Sequence, residues 1–384
     1  MSSDSERNAG GRHTLRCYYC TNVVHEMILI VFDTPQSPGR DMIAEILLVL
    51  AGHDSSLFQG SSTHPSFSPL LHPGEQQALE SLARIAARYR RVRSFCNTSL
   101  VSKNRYICAL CSSLNAILRD EYETLVVETE ARILRRDETF VGNGSFVPVS
   151  SVQATFAPWD APLKSLQLLT DRLEQESEWP PGPLVDILLE RANTGLHAVA
   201  SLFSRISITV QQLWIADLSA FLIHGTVSSV FPLASEDSST SSTSFASTYV
   251  LQESAMPSCV SEQARESIIY VGRAVATVKS ARKWSKQFPR SMAVQHAKLL
   301  DGVYPHDKHN FERVINDVRR NVSEWLWLNV LTRADVEDAV ESLQVRSHLI
   351  LDKPLICPFR GNYFLLRNGE FGLALIRYFL LEAH

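Results

Sequence analysis

The chain has 384 residues, of which 45% are hydrophobic and 20% charged, and its formal net charge is -4 at pH 7. This length and composition exclude a chain that is disordered throughout and allow two or three domains with buried cores. The small net charge argues against a nucleic-acid-binding protein with a basic face.

The first segment, residues 1–41, lacks the periodicity of the sequence after it and contains Pro38 and Gly39 just before a helical pattern begins. We therefore expect residues 1–41 to be a disordered N-terminal appendage. The apolar runs MILIVF and MIAEILLVLAG near this end are shorter than the eighteen residues that a membrane-spanning helix needs. The sequence predicts no membrane span.

A zinc site is the first candidate for chemistry. Cys17, Cys20 and His25 have the C-x2-C-x4-H spacing of a zinc knuckle, but Ile30 stands where the fourth ligand would be needed. Three ligands do not complete a structural zinc site, so we predict no metal. The seven cysteines are irregularly spaced, which predicts reduced thiols and no disulfides.

Helical periodicity dominates the chain after Met42. Apolar residues at steps of three and four predict helices through residues 79–92, 106–134, 184–188, 196–221, 264–278, 311–326 and 336–343. Within the second of these helices, Cys108 and Cys111 are interpreted as small core side chains.

Capping residues support several of these helices. Pro73 suits the first turn of the first helix, and Gly225 suits a left-handed C-terminal cap after His224. Ser261 is the expected N-cap of the helix from Ala264, and Glu262 in its first turn complements the helix dipole. We expect His224 to cap or pack rather than to bind a metal.

Loops and strands are fewer. Proline and glycine predict a loop over residues 141–162 and a sharp break over residues 178–183, and the Ser/Thr-rich residues 235–248 predict a flexible insertion. The only strand candidate is residues 247–252. The predicted fold class is therefore mostly α, with helical bundles stacked into an elongated protein.

Two basic runs stand out. Residues 88–93 share a helix with an apolar stripe, so their arginines are expected to form a solvated face. Residues 279–290 contain Lys279, Arg282, Lys283, Lys286 and Arg290 without an acidic residue. That run could bind an acidic protein or a membrane surface, although a charged loop is the simpler interpretation.

No motif for catalysis was found. The GNG at residues 142–144 lacks the strand and the third glycine of a dinucleotide-binding loop, and the chain has neither a P-loop nor a G-x-S-x-G nucleophile elbow. We predict a protein that is not an enzyme and that needs no cofactor.

Six amphipathic segments in a fixed order carry a resemblance. They include SAFLIHG in the fourth and PSCVSEQARESIIYVG in the fifth, and they lie at residues 42–58, 70–89, 106–134, 213–227, 256–275 and 311–327. Together they resemble the gamma-tubulin complex component family, and within it they are most similar to the component 4 branch.

The resemblance implies a domain organisation. Residues 42–347 correspond to the family's N-terminal helical-bundle domain, and residues 348–384 to a truncated start of its C-terminal gamma-tubulin-binding domain. Family members begin at the equivalent of Met42, so we expect translation to start there.

The resemblance also implies a function. We expect a non-catalytic scaffold that supports microtubule nucleation in the cytoplasm, at microtubule-organising centres and spindle poles of the cytoskeleton. Its partners would be other gamma-tubulin complex components, whereas gamma-tubulin itself binds the half that this chain lacks. The expected partner interface comprises Leu222, His224, Gly225, Arg265, Ile268, Val271 and Arg273. The alternative function is that of an unrelated helical adaptor that binds through residues 279–290.

Overall fold

The computed structural model describes residues 38–138, 140, 147–176, 178–229, 231–236, 249–280 and 288–329. The fold is predominantly α-helical, as predicted. The helices are α1 (Pro38–Leu50), α2 (Pro73–Ser99), α3 (Arg105–Ile117), α4 (Thr124–Leu134), α5 (Val149–Phe156), α6 (Asp160–Gln175), α7 (Pro181–Ala192), α8 (His197–His224), α9 (Glu262–Ser280), α10 (Arg290–Leu300) and α11 (Lys308–Asn329).

Two short antiparallel hairpins accompany the helices. Strand β1 (Phe58–Gln59) pairs with β2 (Ser62–Thr63), with Phe58 opposite Thr63. Strand β3 (Ala234–Glu236) pairs with β4 (Tyr249–Leu251), with Ala234 opposite Leu251. Strand β4 confirms the predicted strand, and β3 shows that residues 235 and 236 of the predicted flexible insertion are paired.

The described residues fall into two compact units. Unit 1 comprises those within residues 1–102, 111–177 and 196–199, and unit 2 those within residues 103–110, 178–195 and 200–384.

Unit 1 is organised around α2, which packs against α1, α5, α6 and β2. The predicted apolar stripe of α2 is buried, including Leu79, Leu82, Ile85 and Tyr89. His72 caps the helix with Pro73 at its first position. Each turn of α2 places an apolar side chain on the same face of the helix, so this stripe forms the core of unit 1.

A π-helical segment, Leu118–Glu123, separates α3 from α4. The prediction of a helix over residues 106–134 is thus correct in extent but missed this change of pitch. The fully buried Tyr122 in the segment donates a hydrogen bond to the Leu50 carbonyl at 3.1 Å. Its ring stacks on Tyr89 at 4.5 Å between centroids and meets the edge of Trp159.

The predicted loop over residues 141–162 was wrong from Val149 onward, because α5, a 3-10 turn (Ala157–Trp159) and the start of α6 occupy that stretch. The prolines that suggested a loop lie where helices tolerate them. Pro148 precedes α5, Pro158 lies in the 3-10 turn, and Pro162 lies in the first turn of α6, where no intrahelical amide bond is needed.

The arginines of residues 88–93 lie on a partly exposed face of α2, and the sequence analysis missed that they are ion-paired. Each pairs with a carboxylate of unit 1, as Arg88 with Asp160, Arg90 with Asp54, Arg91 with Asp171 and Glu174, and Arg93 with Glu123. Because most of these pairs are partly exposed, each contributes only about 0–1 kcal/mol to stability.

Unit 2 is organised around α9 and α11, and α8 contributes buried side chains to its core. Helix α9 packs against α11 and β4, α10 packs against α11, and α7 packs against a 3-10 turn at Glu253–Ala255. The predicted stripe of α9, from Ala264 through Ile268, Val271, Val275 and Val278, is buried.

Helix α8 is long and apolar enough to cross a membrane, alone among the helices of the described residues. Length and composition alone do not make α8 a membrane span, so this finding does not contradict the sequence prediction of none. Half of its most apolar stretch is buried inside the protein, and Trp214, Phe221 and Leu222 on it are fully buried. This burial is what a core helix shows.

Several predictions lie outside the described residues. They are the appendage up to residue 37, the zinc-knuckle residues Cys17, Cys20 and His25, the GNG at 142–144, most of the insertion (237–248), the helix at 336–343 and the segment 348–384. Helix α1 begins at Pro38, so residues 38–41 of the predicted appendage are helical.

Candidate functional site

The N-terminus of α9 is fixed by a short turn before it. The Ser261 hydroxyl accepts a hydrogen bond from the Ala264 amide at 3.3 Å, which confirms the predicted N-cap. The amide and hydroxyl of Ser258 both donate to the Asp186 carboxylate of α7, each at 2.9 Å. The start of α9 is thereby tied to α7.

The two arginines of the predicted interface hold backbone carbonyls. Arg265 donates from Nε to the Val260 carbonyl at 3.1 Å and from Nη2 to the Pro257 carbonyl at 3.2 Å. Arg273 donates from Nε to the Tyr249 carbonyl of β4 at 2.7 Å. Both side chains are half-buried, so they stabilise the turn and the hairpin of unit 2.

The three apolar residues of the predicted interface, Leu222, Ile268 and Val271, have no exposed surface. Their burial places them in the core of unit 2 rather than on its outside. Any role that they have in binding a partner must therefore act through the shape of α8 and α9.

Gly225 closes α8 as predicted. Its φ of +60° is a left-handed conformation that a residue with a side chain rarely adopts, and its amide donates to the Phe221 carbonyl at 2.9 Å. A Cβ at Gly225 would lie 3.0 Å from the Ala276 Cα of α9. The glycine thus serves both the helix cap and the close approach of α9.

His224 is exposed, and its backbone carbonyl accepts a hydrogen bond from Lys279 Nζ at 2.8 Å. A cationic side chain at the C-terminus of α8 is favourable for the helix dipole. The imidazole of His224 therefore faces solvent at the junction of α8 with the end of α9, and it is the most accessible of the seven predicted residues.

Polar contacts between α9 and α11 escaped the sequence analysis. Arg319 of α11 donates to the buried Ser267 hydroxyl at 3.1 Å, and its guanidinium lies 5.4 Å from the centroid of the Tyr270 ring. The Ser323 hydroxyl donates to the Tyr270 hydroxyl at 3.3 Å. No sequence pattern links these residues, because they lie on helices that are distant in the chain.

A buried polar network on α8 was also missed. Gln211 has no exposed surface, donates to the Ser207 hydroxyl at 2.6 Å and lies 2.9 Å from His306 Nδ1. The Trp214 indole donates to the Ala255 carbonyl at 2.9 Å. A satisfied network of this kind fixes the rotation of α8 in the core of unit 2.

Tyr106 forms another polar contact in unit 2. Its hydroxyl donates to the Asp217 carboxylate, which also pairs with Arg105 at 3.3 Å. Burial and the neighbouring carboxylate raise the pKa of Tyr106, so the phenol stays protonated and remains a hydrogen-bond donor at neutral pH.

Two of the thiols, Cys111 and Cys259, are not activated as nucleophiles. Cys96 and Cys111 are fully buried in unit 1, and the hydrogen bond to Cys96 together with burial raises the pKa of Cys111. Burial and the Asp186 carboxylate raise the pKa of Cys259 to about 11. A thiol needs a lowered pKa to be a good nucleophile at neutral pH. In the part of the chain that the structure describes, no three His, Cys, Asp or Glu residues are grouped as a metal site would require.

Two comparisons with known proteins give matches to the same family. The profile of the family described as "Gamma tubulin complex component N-terminal" matches residues 43–332. The chain is also 31% identical over 144 residues to gamma-tubulin complex component gfh1 of Schizosaccharomyces pombe. That match covers 35% of the chain and 24% of the relative, so the chain spans about a quarter of that relative's length.

Proposed function

The chain belongs to the gamma-tubulin complex component family, and from this premise we propose that it is a non-catalytic subunit of a gamma-tubulin complex that supports microtubule nucleation. The observation that carries the proposal is the family match over residues 43–332, which includes nearly all of the described residues. The family is one of structural components rather than enzymes. Its component 4 branch, which the sequence resembled, is not distinguished from the others by the match.

The proposed location follows from the function. Gamma-tubulin complex components belong to the cytoskeleton and act at microtubule-organising centres. A subunit of such a complex would be found in the cytoplasm and at spindle poles, where microtubules are nucleated.

The proposed mechanism is scaffolding through lateral contacts between helical bundles. The described residues contain no group of potential metal ligands, and they form long helices that pack around buried apolar cores. Rigid helices present side chains at fixed positions, which lowers the conformational cost of forming an interface. We place the interface at the outer surface of α8 and α9, around His224 and the exposed face of α9.

The exposed face of α9 differs from the residues that the sequence suggested. Glu262, Gln263 and Glu266 are exposed in its first two turns, whereas Ile268 and Val271 are buried. A polar face of this kind is typical of the rim of an interface, where charge affects specificity and association rate. The buried Ile268 and Val271 pack in the core of unit 2 and so hold α9 in position.

The proposal assigns residues 43–332 a neighbouring complex component as their partner and gives these residues little affinity for gamma-tubulin. Residues 43–332 correspond to the N-terminal domain of the family, and in the sequence resemblance the gamma-tubulin-binding surface belongs to the C-terminal half. The alternative of an unrelated adaptor is wrong, because the family is established. Of its basic run, only Lys279, Ser280 and residues 288–290 lie among the described residues.

The test is a side-by-side binding measurement with the purified chain. Biolayer interferometry against the N-terminal half of a second gamma-tubulin complex component should show saturable binding, and gamma-tubulin should show little. Tight gamma-tubulin binding with no component binding would contradict the proposal.

A charge reversal then locates the interface. Glu266→Lys reverses the charge of an exposed residue of α9. Glu324→Lys makes the same change at an exposed residue of α11 and is the matched control. We expect the first to weaken component binding several-fold and the second to leave it unchanged. Arg265→Glu is unsuitable, because it would remove the hydrogen bonds to Val260 and Pro257. If component binding is present but equal for both variants, the interface lies elsewhere on the chain.

A further inference from the structure

The carboxylate of Glu130 lies among apolar neighbours on α4. The nearest neighbours of a side chain on a helix surface are those three and four positions away, and for Glu130 these are Val126, Val127, Ile133 and Leu134. None of the four carries a charge or a side chain that forms hydrogen bonds. Glu130 is itself half-buried, so its carboxylate has lost part of its contact with water without gaining a polar neighbour from its own helix.

Glu130 also has no hydrogen-bond or ion-pair partner among the described residues. Glu123, two turns earlier, accepts a hydrogen bond from the Tyr89 hydroxyl at 2.6 Å and lies 3.3 Å from the Arg93 guanidinium. Burial raises the pKa of Glu130, as expected for a carboxylate that has lost water and has no cation beside it. A carboxylate in this state is unfavourable in the free chain, and a cation brought to it would stabilise it.

The side of α4 that carries Glu130 also leaves apolar surface uncovered. Leu134, one turn after Glu130, is 56% exposed, and Val127 and Ala131 are half-buried. At about 100° of rotation per residue, these four side chains lie within about 100° of one another around the helix axis. We call Val127, Glu130, Ala131 and Leu134 the α4 flank.

The two features of the α4 flank fit one kind of partner group. An exposed leucine is ordinary on a protein surface, and a glutamate at the surface usually faces water. An unpaired, half-buried carboxylate beside exposed apolar surface fits a side chain with an apolar stem and a cationic end. Arginine and lysine have this form, because the stem covers apolar surface while the charged end pairs with a carboxylate.

We propose that the α4 flank binds a segment of a neighbouring gamma-tubulin complex component, in which an arginine or lysine pairs with Glu130 and adjacent apolar side chains cover Val127 and Leu134. This inference rests on the proposed function, because it takes the partner from the same complex. A subunit within a lateral row has two neighbours, and the surface around α8 and α9 serves one of them. The α4 flank serves the other.

The first test measures the stability of the full chain alone. Glu130→Gln keeps the shape of the side chain and removes its charge, so the Tm should stay the same or rise, because an unpaired, half-buried carboxylate is lost. Glu128→Gln makes the same change at an exposed residue of α4 outside the flank and should leave the Tm unchanged. A lower Tm for Glu130→Gln alone would show that the carboxylate has a stabilising partner within the chain, and it would overturn the proposal.

The second test measures binding of the full chain to the N-terminal halves of the gamma-tubulin complex components of the same organism by biolayer interferometry. Glu130→Gln should weaken binding to one component by about tenfold or more, mainly through faster dissociation, as for a charge pair that binding buries. Leu134→Ala should weaken binding to that component several-fold. The matched controls are Glu128→Gln and Leu168→Ala, the latter at a leucine of α6 that is 53% exposed, and both should bind as the wild type does.

The outcomes separate this inference from the proposed function. If the wild-type chain binds no component, the proposed function fails and this inference fails with it. If the wild type binds, but Glu130→Gln and Leu134→Ala bind every component as tightly as the two controls do, the proposed function stands and the α4 flank is not an interface.

Discussion

Gly272 marks the closest approach of α8 and α9 in unit 2. A Cβ at this position would lie 2.1 Å from Cζ and 2.2 Å from Cε1 of the Phe221 ring. Non-bonded carbon atoms pack at about 3.5–4.0 Å, so the ring would have to move by roughly 1.5 Å. Phe221 has no exposed surface, and a buried ring cannot move that far without displacing its neighbours.

Gly272→Ala therefore sets two effects of opposite sign against each other. Alanine favours the helical state over glycine by about 1 kcal/mol. Overpacking of a filled core costs about 1–3 kcal/mol, and occasionally more. Because the clash involves a ring and not the end of a flexible side chain, we expect the upper part of that range, with a net loss of about 2 kcal/mol.

The assay is thermal unfolding followed by circular dichroism. For a unit of this size a loss of about 2 kcal/mol lowers the Tm by about 4–8 °C. Gly195→Ala is a control for the added methyl group alone, because Gly195 lies between α7 and α8 and a Cβ there meets nothing within 4 Å. Phe221→Leu replaces the ring by a smaller side chain. In a double-mutant cycle it should therefore reduce the loss of stability that Gly272→Ala causes. If Gly272→Ala is as stable as the control, α8 and α9 are not packed as described.

Three other changes test separate contacts. Ser261→Ala should lower stability by about 1 kcal/mol and Ser261→Asp should restore it, as measured by urea unfolding, because the hydroxyl caps α9. Tyr122→Phe should cost about 1 kcal/mol in the same assay through loss of the bond to Leu50, and no loss would argue against that bond. Burial lowers the pKa of His296, whose Nε2 has no hydrogen-bond partner among the described residues. Since the folded pKa lies below the unfolded one, stability is retained above about pH 6.5 and falls as the pH drops below it. His296→Leu should therefore lose less stability than the wild type between pH 7 and pH 5, and an equal loss would contradict this account.

The helices with clear apolar stripes were predicted from the sequence because the stripe and the core are the same residues. In α2 and α11, steps of three and four place each apolar side chain on one face, and that face is buried. Caps were predicted for a similar reason, since Ser261 and Gly225 act on neighbours within a few residues. Local rules suffice where the partners are local.

The missed helices show where local rules conflict. Proline is a helix breaker in the interior but is tolerated in the first turn, so Pro148 and Pro162 fit either a loop or two helix starts. Helices form here because α5 and α6 pack against α2 and bury Val152, Phe156 and Leu166. That tertiary burial cannot be recognised before the partner helix is placed.

The arginines of α2 show a related limit. Their spacing gives the same solvated face whether or not carboxylates approach it, and their partners Asp160 and Asp171 come from α6, far along the chain. The sequence of α8 likewise does not show which of its polar residues are buried, because Gln211 and Asp217 have partners, His306 and Arg105, that are distant in the chain.

The distinction between core and interface has the same cause, and it determines how the partner surface should be sought. An apolar stripe on a helix is required equally by a core and by a binding face, so Ile268 and Val271 satisfied both interpretations until their burial was known. Arg265 and Arg273 were the charged candidates, yet they bond to carbonyls of their own unit. The exposed residues of these helices include the polar Glu266 and His224. A partner that binds there must match charge and shape, and for such an interface charge reversal at exposed residues discriminates better than truncation of buried ones, which would unfold unit 2 first.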